Sequence, residues 1–176
     1  MSESTKKHKS ATPEKLSFAV YICSTSRYQK SQKGEKIVDI SGDTIESILS
    51  AAGHKVLSRK IIADDKNMIE EAVNTILSSE ELDAAIFSGG TGIASKDVTI
   101  ETVTPFFEKT LPGFGEIFRR LSYDKIGSAS VLSRAVAGVA KGKVLFCIPG
   151  SPDAVEISVE TLILPETPHI VRHTRE

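Results

Sequence analysis

Residues 87–99 read FSGGTGIASKDVT: three glycines in four positions directly behind an apolar run, with Asp97 five residues further on. Glycine lets the backbone take positive φ and lets bare N–H groups approach a ligand. A nest of such groups at a strand-to-helix turn binds anions, phosphate above all. Ser88, Gly89, Gly90, Thr91 and Gly92 therefore form a candidate phosphate cradle. The stretch lacks the Gly-Lys-Ser/Thr of a Walker loop and the GxGxxG dinucleotide spacing, and on glycine content alone a tight structural turn explains it equally well. Asp97 just past the cradle would repel bound phosphates unless Mg2+ or a hydrogen-bond donor stood between; its structural alternative is an N-cap for a helix beginning near Val98. Asp64 and Asp65 raise the same choice, one capping the next helix and the other free to reach into a cleft. Pro149-Gly150-Ser151-Pro152 offers a second strand-to-helix turn, for which ordinary capping is the simpler account. Two such turns with acids on one edge point to a phosphorylated ligand with Mg2+, and to phosphoryl or nucleotidyl transfer.

These residues need a scaffold, and the apolar pattern supplies one of alternating strands and helices. Leu16–Cys23 reads as a first strand opening into a loop that runs polar to about Lys36. Ile45, Ile48, Leu49 and Ala52 recur at helical spacing, with Ser41 and Asp43 as caps and Gly53 at the stop. Val56–Ile62 is a second strand, and Ile69, Ala72, Val73, Ile76 and Leu77 form a 3.6-residue stripe. Ala84–Phe87 is a continuous apolar run, as expected of a central parallel strand covered on both faces. A right-handed βαβαβ arrangement would put Asp64 and the glycine loop together beyond the carboxyl ends of the strands. Further on, Pro105 breaks or kinks the chain, and Phe114, Ile117, Phe118 and Leu121 mark a helical face. Arg134–Ala140 and Lys143–Ile148 read as an antiparallel hairpin turning at Lys141-Gly142. The last helix is expected over Pro152–Leu162, capped by Ser151, with Pro165 beyond its end.

With 176 residues, 40% of them hydrophobic, the chain can bury one core but hardly two. A single domain over 16–176 is expected, preceded by a disordered arm over 1–15 that carries Lys6-Lys7-His8-Lys9. The 22 basic and 23 acidic residues nearly cancel, which leaves no overall field to hold nucleic acid or an anionic membrane. Cys23 and Cys147 lie in apolar runs without metal spacing and read as buried reduced thiols. No apolar run approaches a membrane span and the N-terminus lacks a signal-peptide core, so a cytoplasmic protein is expected.

At these same residues the chain resembles the MoaB/MogA family of molybdenum-cofactor biosynthesis proteins, which includes the G domain of gephyrin. The likeness runs from Leu16 to about Leu164. It rests on an ordered set: Asp39-Ile-Ser-Gly42; Ser88-Gly-Gly-Thr-Gly92 with Asp97-Val-Thr99; Pro112-Gly-Phe-Gly-Glu116; Leu132-Ser-Arg134; and Pro149-Gly-Ser-Pro152. Phe114–Gly127, Ser133–Ala140 and the short tail look most like the MoaB branch. The resemblance implies a three-layer α/β/α domain with a mostly parallel sheet and an antiparallel hairpin, assembled as a homotrimer or homohexamer and binding molybdopterin. It also implies Mg-ATP-dependent adenylylation of the molybdopterin phosphate, with pyrophosphate released ahead of metal insertion by a partner protein. Asp64 and Asp97 match the family's two key acids, with Mg2+ and catalytic orientation as their role. Gly89–Gly92 match its phosphate loop beside Ser88, and Ser41 with Gly42 lie in its D-x-S-G. Ser133, Arg134, Gly150 and Ser151 match its pterin-side motifs, where Arg134 would pair with the pterin phosphate or form only a surface ion pair. Two other readings stand beside adenylyl transfer: a molybdopterin carrier or scaffold without chemistry, and a nucleotide pyrophosphate hydrolase.

Overall fold

Residues 15–176 are described by a computed structural model, so the N-terminal arm expected over 1–15 lies, except for Lys15, outside the described residues. Six strands form one sheet in the order β2-β1-β3-β6-β5-β4: β1 Ser17–Cys23, β2 Lys55–Ile62, β3 Ala84–Ser88, β4 Lys109–Thr110, β5 Val136–Ala140 and β6 Lys143–Ile148. Pairings β1/β2, β1/β3 and β3/β6 are parallel, whereas β5 runs antiparallel to both β6 and β4. Every residue of β3 and β6 is buried, which is why neither strand alternates in sequence. The two-residue turn at Lys141 (φ 48°) and Gly142 (φ 72°) has both residues left-handed, the geometry that matches strand twist in a hairpin.

Alternate strand residues face opposite layers. Phe18, Val20, Ile22, Ile86, Phe146 and Ile148 join Ile45 and Leu49 of helix α2 (Ile40–Ala51) and Val155, Val159 and Ile163 of the C-terminal helical segment. Tyr21, Cys23, Phe87, Leu145 and Cys147 meet Ile69, Val73 and Ile76 of α3 (Lys66–Ser78) and Val103 of α4 (Thr99–Val103). Each large side chain so buried contributes about 1.5–3 kcal/mol. The three layers are those expected from the sequence.

Four local features depart from expectation. The segment read as polar loop contains helix α1, Thr25–Gln32, which buries no residue and so carries no apolar stripe to announce it. Helix α2 begins earlier than its apolar spacing suggests and is capped by Asp39, whose side chain accepts from the Gly42 N–H at 3.1 Å, in place of Ser41 or Asp43. Helix α5, Pro112–Ile126, spans the expected apolar face and has a proline in its first turn, after a 3-10 turn over Thr104–Phe106 takes up Pro105. The helix begun at Pro152 does not stop before Pro165. It passes from α6 (Pro152–Glu156) through a π-helical stretch (Ile157–Ile163) into α7 (Leu164–Thr174), with Pro165 in the first turn of α7 and Pro168 inside it. The wider π winding makes room where a proline ring would press on the preceding turn, and Thr167 Oγ1 donates to the Ile163 carbonyl. Ser151 stands at the N-cap of α6 but makes no side-chain capping bond.

Candidate functional site

The carboxyl ends of β1, β2, β3 and β6 converge on one edge of the sheet, where open α/β sheets take ligands. Gly89 and Gly90, directly after β3, have φ of 104° and 61°. A Cβ on Gly89 would overlap the Cys23 carbonyl, and one on Gly150 would lie 3.2 Å from Gly89 Cα, so the turns after β3 and β6 touch backbone to backbone. Gly89 N–H donates to Ile148 O at 3.0 Å and is spent on the sheet. The N–H groups of Gly90, Thr91 and Gly92 have no acceptor among the described residues, which leaves three donors for an anion.

The two neighbouring aspartates divide their tasks. Asp65 caps α3, accepting from Met68 N–H at 3.0 Å. Asp64 turns the other way: its Oδ2 accepts from both the N–H and the hydroxyl of Thr25, each at 2.8 Å, while its own N–H donates back to Thr25 Oγ1 at 3.0 Å. Its Oδ1 lies 2.8 Å from the position a Gly90 Cβ would take, directly beneath the loop. Asp97 is not the cap of α4. Val98 holds that place, and Asp97 Oδ2 accepts from Ala94 N–H at 2.9 Å, leaning against Gly92 at 2.6 Å from its absent Cβ position. Both acids thus converge on Gly90–Gly92 from different strand ends.

An open cavity of about 240 Å³ is lined by Gly90, Thr91, Gly92, Asp97, Ser133, Arg134 and Gly150, together with Leu132 and Pro149. A second recess of about 120 Å³ shares Ser133 and Pro149 and adds Lys125, Ser151 and Asp153. Larger recesses, such as one of about 330 Å³ beside Tyr21 and Lys60, lack the glycine turns. Arg134 is held on two sides, its Nε donating to Thr91 O at 2.9 Å and its Nη1 paired with Glu101 Oε1 at 2.7 Å. The hydrogen bond from Arg134 keeps the Glu101 carboxyl below its ordinary pKa, despite the opposing effect of partial burial.

The remaining expected residues support the site from behind. Ser41 Oγ donates to Gly150 O at 2.8 Å, and Ser88 Oγ lies 3.5 Å from Pro149 O, so both brace the turn after β6. Gly42 is buried on α2, packed against Asp39 and Arg59. Asp39, only 6% exposed, accepts from Arg59 Nε at 3.1 Å and Nη2 at 2.5 Å. Arg59 also reaches Asp43 and Glu46. Burial alone would lower the Arg59 pKa, but its hydrogen bonds to these acids outweigh that and raise it. Sequence reading missed Thr25, Arg59 and Glu101 because each acts through a partner distant in the chain; Asp39, quoted only as a motif letter, is the cap of α2, the helix that carries Ser41. Cys23 and Cys147 are free and buried. Burial pushes the Cys23 thiol up to about 12 against an opposing effect of the Thr99 hydroxyl, and likewise raises Cys147, so neither is a nucleophile near neutrality.

Among the described residues no group of three or more His, Cys, Asp and Glu side chains could hold a metal. Asp64 and Asp97 each spend one oxygen on local donors and keep the other, beside a loop with free N–H groups. That donor set fits Mg2+ arriving with a polyphosphate, since this ion keeps several waters and is held by one or two carboxylates plus substrate oxygens.

Residues 19–169 match the family described as a probable molybdopterin binding domain. Molybdenum cofactor biosynthesis protein B of Bacillus subtilis is 42% identical over 174 residues, covering 98% of this chain and 98% of that protein. The probable molybdopterin adenylyltransferase of Methanocaldococcus jannaschii is 42% identical over 161 residues, covering 92% and 95%. The crystal structure of the tungsten cofactor synthesizing protein MoaB from Pyrococcus furiosus matches with a TM-score of 0.82 at 39% identity, covering 93% of this chain and 99% of that one.

Proposed function

Because the chain belongs to the molybdopterin-binding domain family of molybdenum cofactor biosynthesis, we propose that it adenylylates molybdopterin, joining the AMP unit of ATP to the pterin phosphate and releasing pyrophosphate. The observation that carries this reading is the convergence of Asp64 and Asp97 on one glycine turn whose N–H groups are unspent. The archaeal relative named a probable molybdopterin adenylyltransferase supports it.

In the reaction a pterin phosphate oxygen attacks the α-phosphorus of ATP, a new P–O bond forms, and the bond to the β-phosphate oxygen breaks with pyrophosphate as leaving group. The protein's task is alignment and offset of charge. Mg2+, when bound, neutralises the charge that accumulates on the phosphate oxygens. Gly90, Thr91 and Gly92 N–H groups hold a phosphate, and Asp64 and Asp97 orient the cation. Arg134, with two of its five donors engaged by Thr91 and Glu101, offers the others to the pterin phosphate. Ser133 and Ser151 line the adjoining recess, which suits the pterin. Exposed Ile117, Tyr123, Ile126, Val131 and Leu132 on α5 and the turn after it give a surface suited to assembly as a homotrimer or homohexamer. No helix among the described residues is long and apolar enough to cross a membrane, in keeping with our placement of the reaction in the cytoplasm, upstream of a metal-inserting partner.

The test is incubation with Mg-ATP and molybdopterin, following adenylylated pterin and pyrophosphate, beside a control without pterin. Equal, pterin-dependent amounts of both products are expected. Tight pterin binding with no ATP consumed would make the protein a carrier, and nucleotide breakdown without pterin would make it a pyrophosphate hydrolase; either result overturns the proposal.

A further inference from the structure

One polar atom at the site is left over. Thr99, at the start of α4, is 0% exposed, and its Oγ1 is buried without a hydrogen-bond partner. Buried hydroxyls nearly always find a partner, and one that does not calls for a functional or solvent explanation. Thr104 and Ser158 also carry such an oxygen, but neither borders the glycine loop. Thr99 does: Oγ1 and Asp64 Oδ1 are the two nearest atoms to the position a Gly90 Cβ would occupy, so both oxygens border the same point beneath the loop. The Thr99 hydroxyl does act on the neighbouring Cys23 thiol, lowering its pKa as a hydrogen-bonding group would, but a thiol is a weak partner and the pair does not meet the geometry of a hydrogen bond.

The backbone couples this hydroxyl to the loop. Thr99 N–H donates to Gly90 O at 3.0 Å, so a shift of the Gly90 turn is passed to Thr99. Asp64 complements it, because its Oδ2 is saturated by the two donors of Thr25 while Oδ1 faces the loop with no donor of its own.

We propose that Thr99 is a positioning residue for Asp64: when a Mg2+-bound nucleotide phosphate occupies the Gly90–Gly92 turn, the Thr99 hydroxyl donates to Asp64 Oδ1 and fixes the carboxylate on both oxygens. The free protein keeps the donor unspent, and ligand binding satisfies it. This rests on the adenylyl-transfer reading above. It also gives Gly90 a second reason to be glycine, since any side chain there would wedge the two oxygens apart.

The experiment uses the full chain with Thr99→Val, Thr99→Ser and Asp64→Asn, and the double variant Thr99→Val/Asp64→Asn. Binding of a non-hydrolysable ATP analogue in the presence of Mg2+ is measured by calorimetry, and melting is recorded without ligand. Valine keeps the shape and removes a hydroxyl that had no bond, so Thr99→Val is expected to melt no lower than the wild type. Its affinity for the Mg2+-analogue complex should fall about tenfold, the loss expected for one hydrogen bond to a charged group. Thr99→Ser should restore most of that affinity, and Thr99→Val should add little loss in the Asp64→Asn background, because the two act through one contact. Unchanged affinity in Thr99→Val overturns the proposal. So does an undiminished loss in the Asp64→Asn background, or a lowered melting point with affinity intact, which would make the hydroxyl a structural partner of Cys23. A wild type that binds no Mg2+-analogue complex would instead refute the adenylyl-transfer reading itself.

Discussion

Asp64→Asn is the most direct probe of the proposed chemistry, because its neighbour provides an internal control. The asparagine carbonyl can take over the place of Oδ2 and accept both Thr25 donors, which puts the amide NH2 under Gly90 where Oδ1 now lies. The fold then loses only the extra strength that a charge gives those two bonds, about 1 kcal/mol at this part-buried position. A drop of about 2–4 °C in melting temperature follows for a chain of this size. The catalytic loss is larger: one of two charges that orient the cation is gone and a donor stands in its place, so the rate should fall about 10²–10³-fold, or about 2.7–4 kcal/mol. Asp65→Ala should behave in the opposite way, since it removes the cap of α3 at a cost of about 1 kcal/mol and leaves the contacts of Asp64 with Thr25 and beneath Gly90 in place. Initial rates of pterin-dependent pyrophosphate release at saturating substrates, read beside melting curves, separate the two. If Asp64→Asn kept a rate within about threefold of wild type, or if Asp65→Ala lost as much rate as Asp64→Asn, the assignment of roles would be wrong.

Two further outcomes are expected. Gly42→Ala would drive a methyl into the Asp39–Arg59 pair and leave the buried Asp39 short of its partner; a loss of about 2–3 kcal/mol should show in denaturant midpoints, and a midpoint equal to wild type would mean that α2 shifts freely. His54 Nδ1 accepts from Leu16 N–H at 3.2 Å, and burial lowers its pKa although Asp83 nearby works the other way. The folded protein thus disfavours the imidazolium, so this contribution to stability is complete above the unfolded pKa of about 6.5 and is lost as pH falls below it. Denaturant midpoints measured from pH 7.5 to 5.5 should decline more steeply for wild type than for His54→Gln, and parallel curves would refute the linkage.

How much of this was legible in the sequence depended on whether a residue's partner is near in the chain. Strands β1, β2, β3, β5 and β6 were legible from apolar runs of the right length, and the hairpin at Lys141-Gly142 from turn chemistry. Of the cavity-lining set, Gly90–Gly92, Asp97 and Gly150 were legible because strand ends in a parallel sheet share an edge, whereas Ser133 and Arg134 came only from the family motifs, since they precede the antiparallel strand β5. Helix α1 was not, since all its residues stay at least partly exposed and no periodicity records it. The passage of the last helix across Pro165 was not either, because it depends on π winding that has no signature in residue order. The choice between Asp64 and Asp65 was open in sequence for a physical reason: either could cap α3, and only the position of Thr25, 39 residues earlier, draws Asp64 away.

The same distinction explains why motif residues with no access to a ligand belong to the site. Gly42 admits the Arg59 guanidinium to Asp39, Asp39 caps α2, and the orientation so fixed brings Ser41 Oγ to the Gly150 carbonyl. Gly150 in turn rests on Gly89, whose Cα is 3.2 Å from where a Gly150 side chain would begin. From Gly89 the chain enters the turn that lines the cavity and whose N–H groups are unspent. At Gly42 and Gly89 the contacts are too close for a side chain and at Gly150 they are tight, so the glycines serve two ends: a few leave N–H groups unspent beside the cavity, and the others let three elements approach closely enough to hold that turn still. Preorganisation of this kind is what a reaction governed by alignment requires, because donors already in place need no rearrangement when charge develops on the transferred phosphate. In the adenylyl-transfer mechanism we propose, the D-x-S-G segment would therefore act on catalysis from behind the turn, through distance and rigidity instead of through contact with substrate.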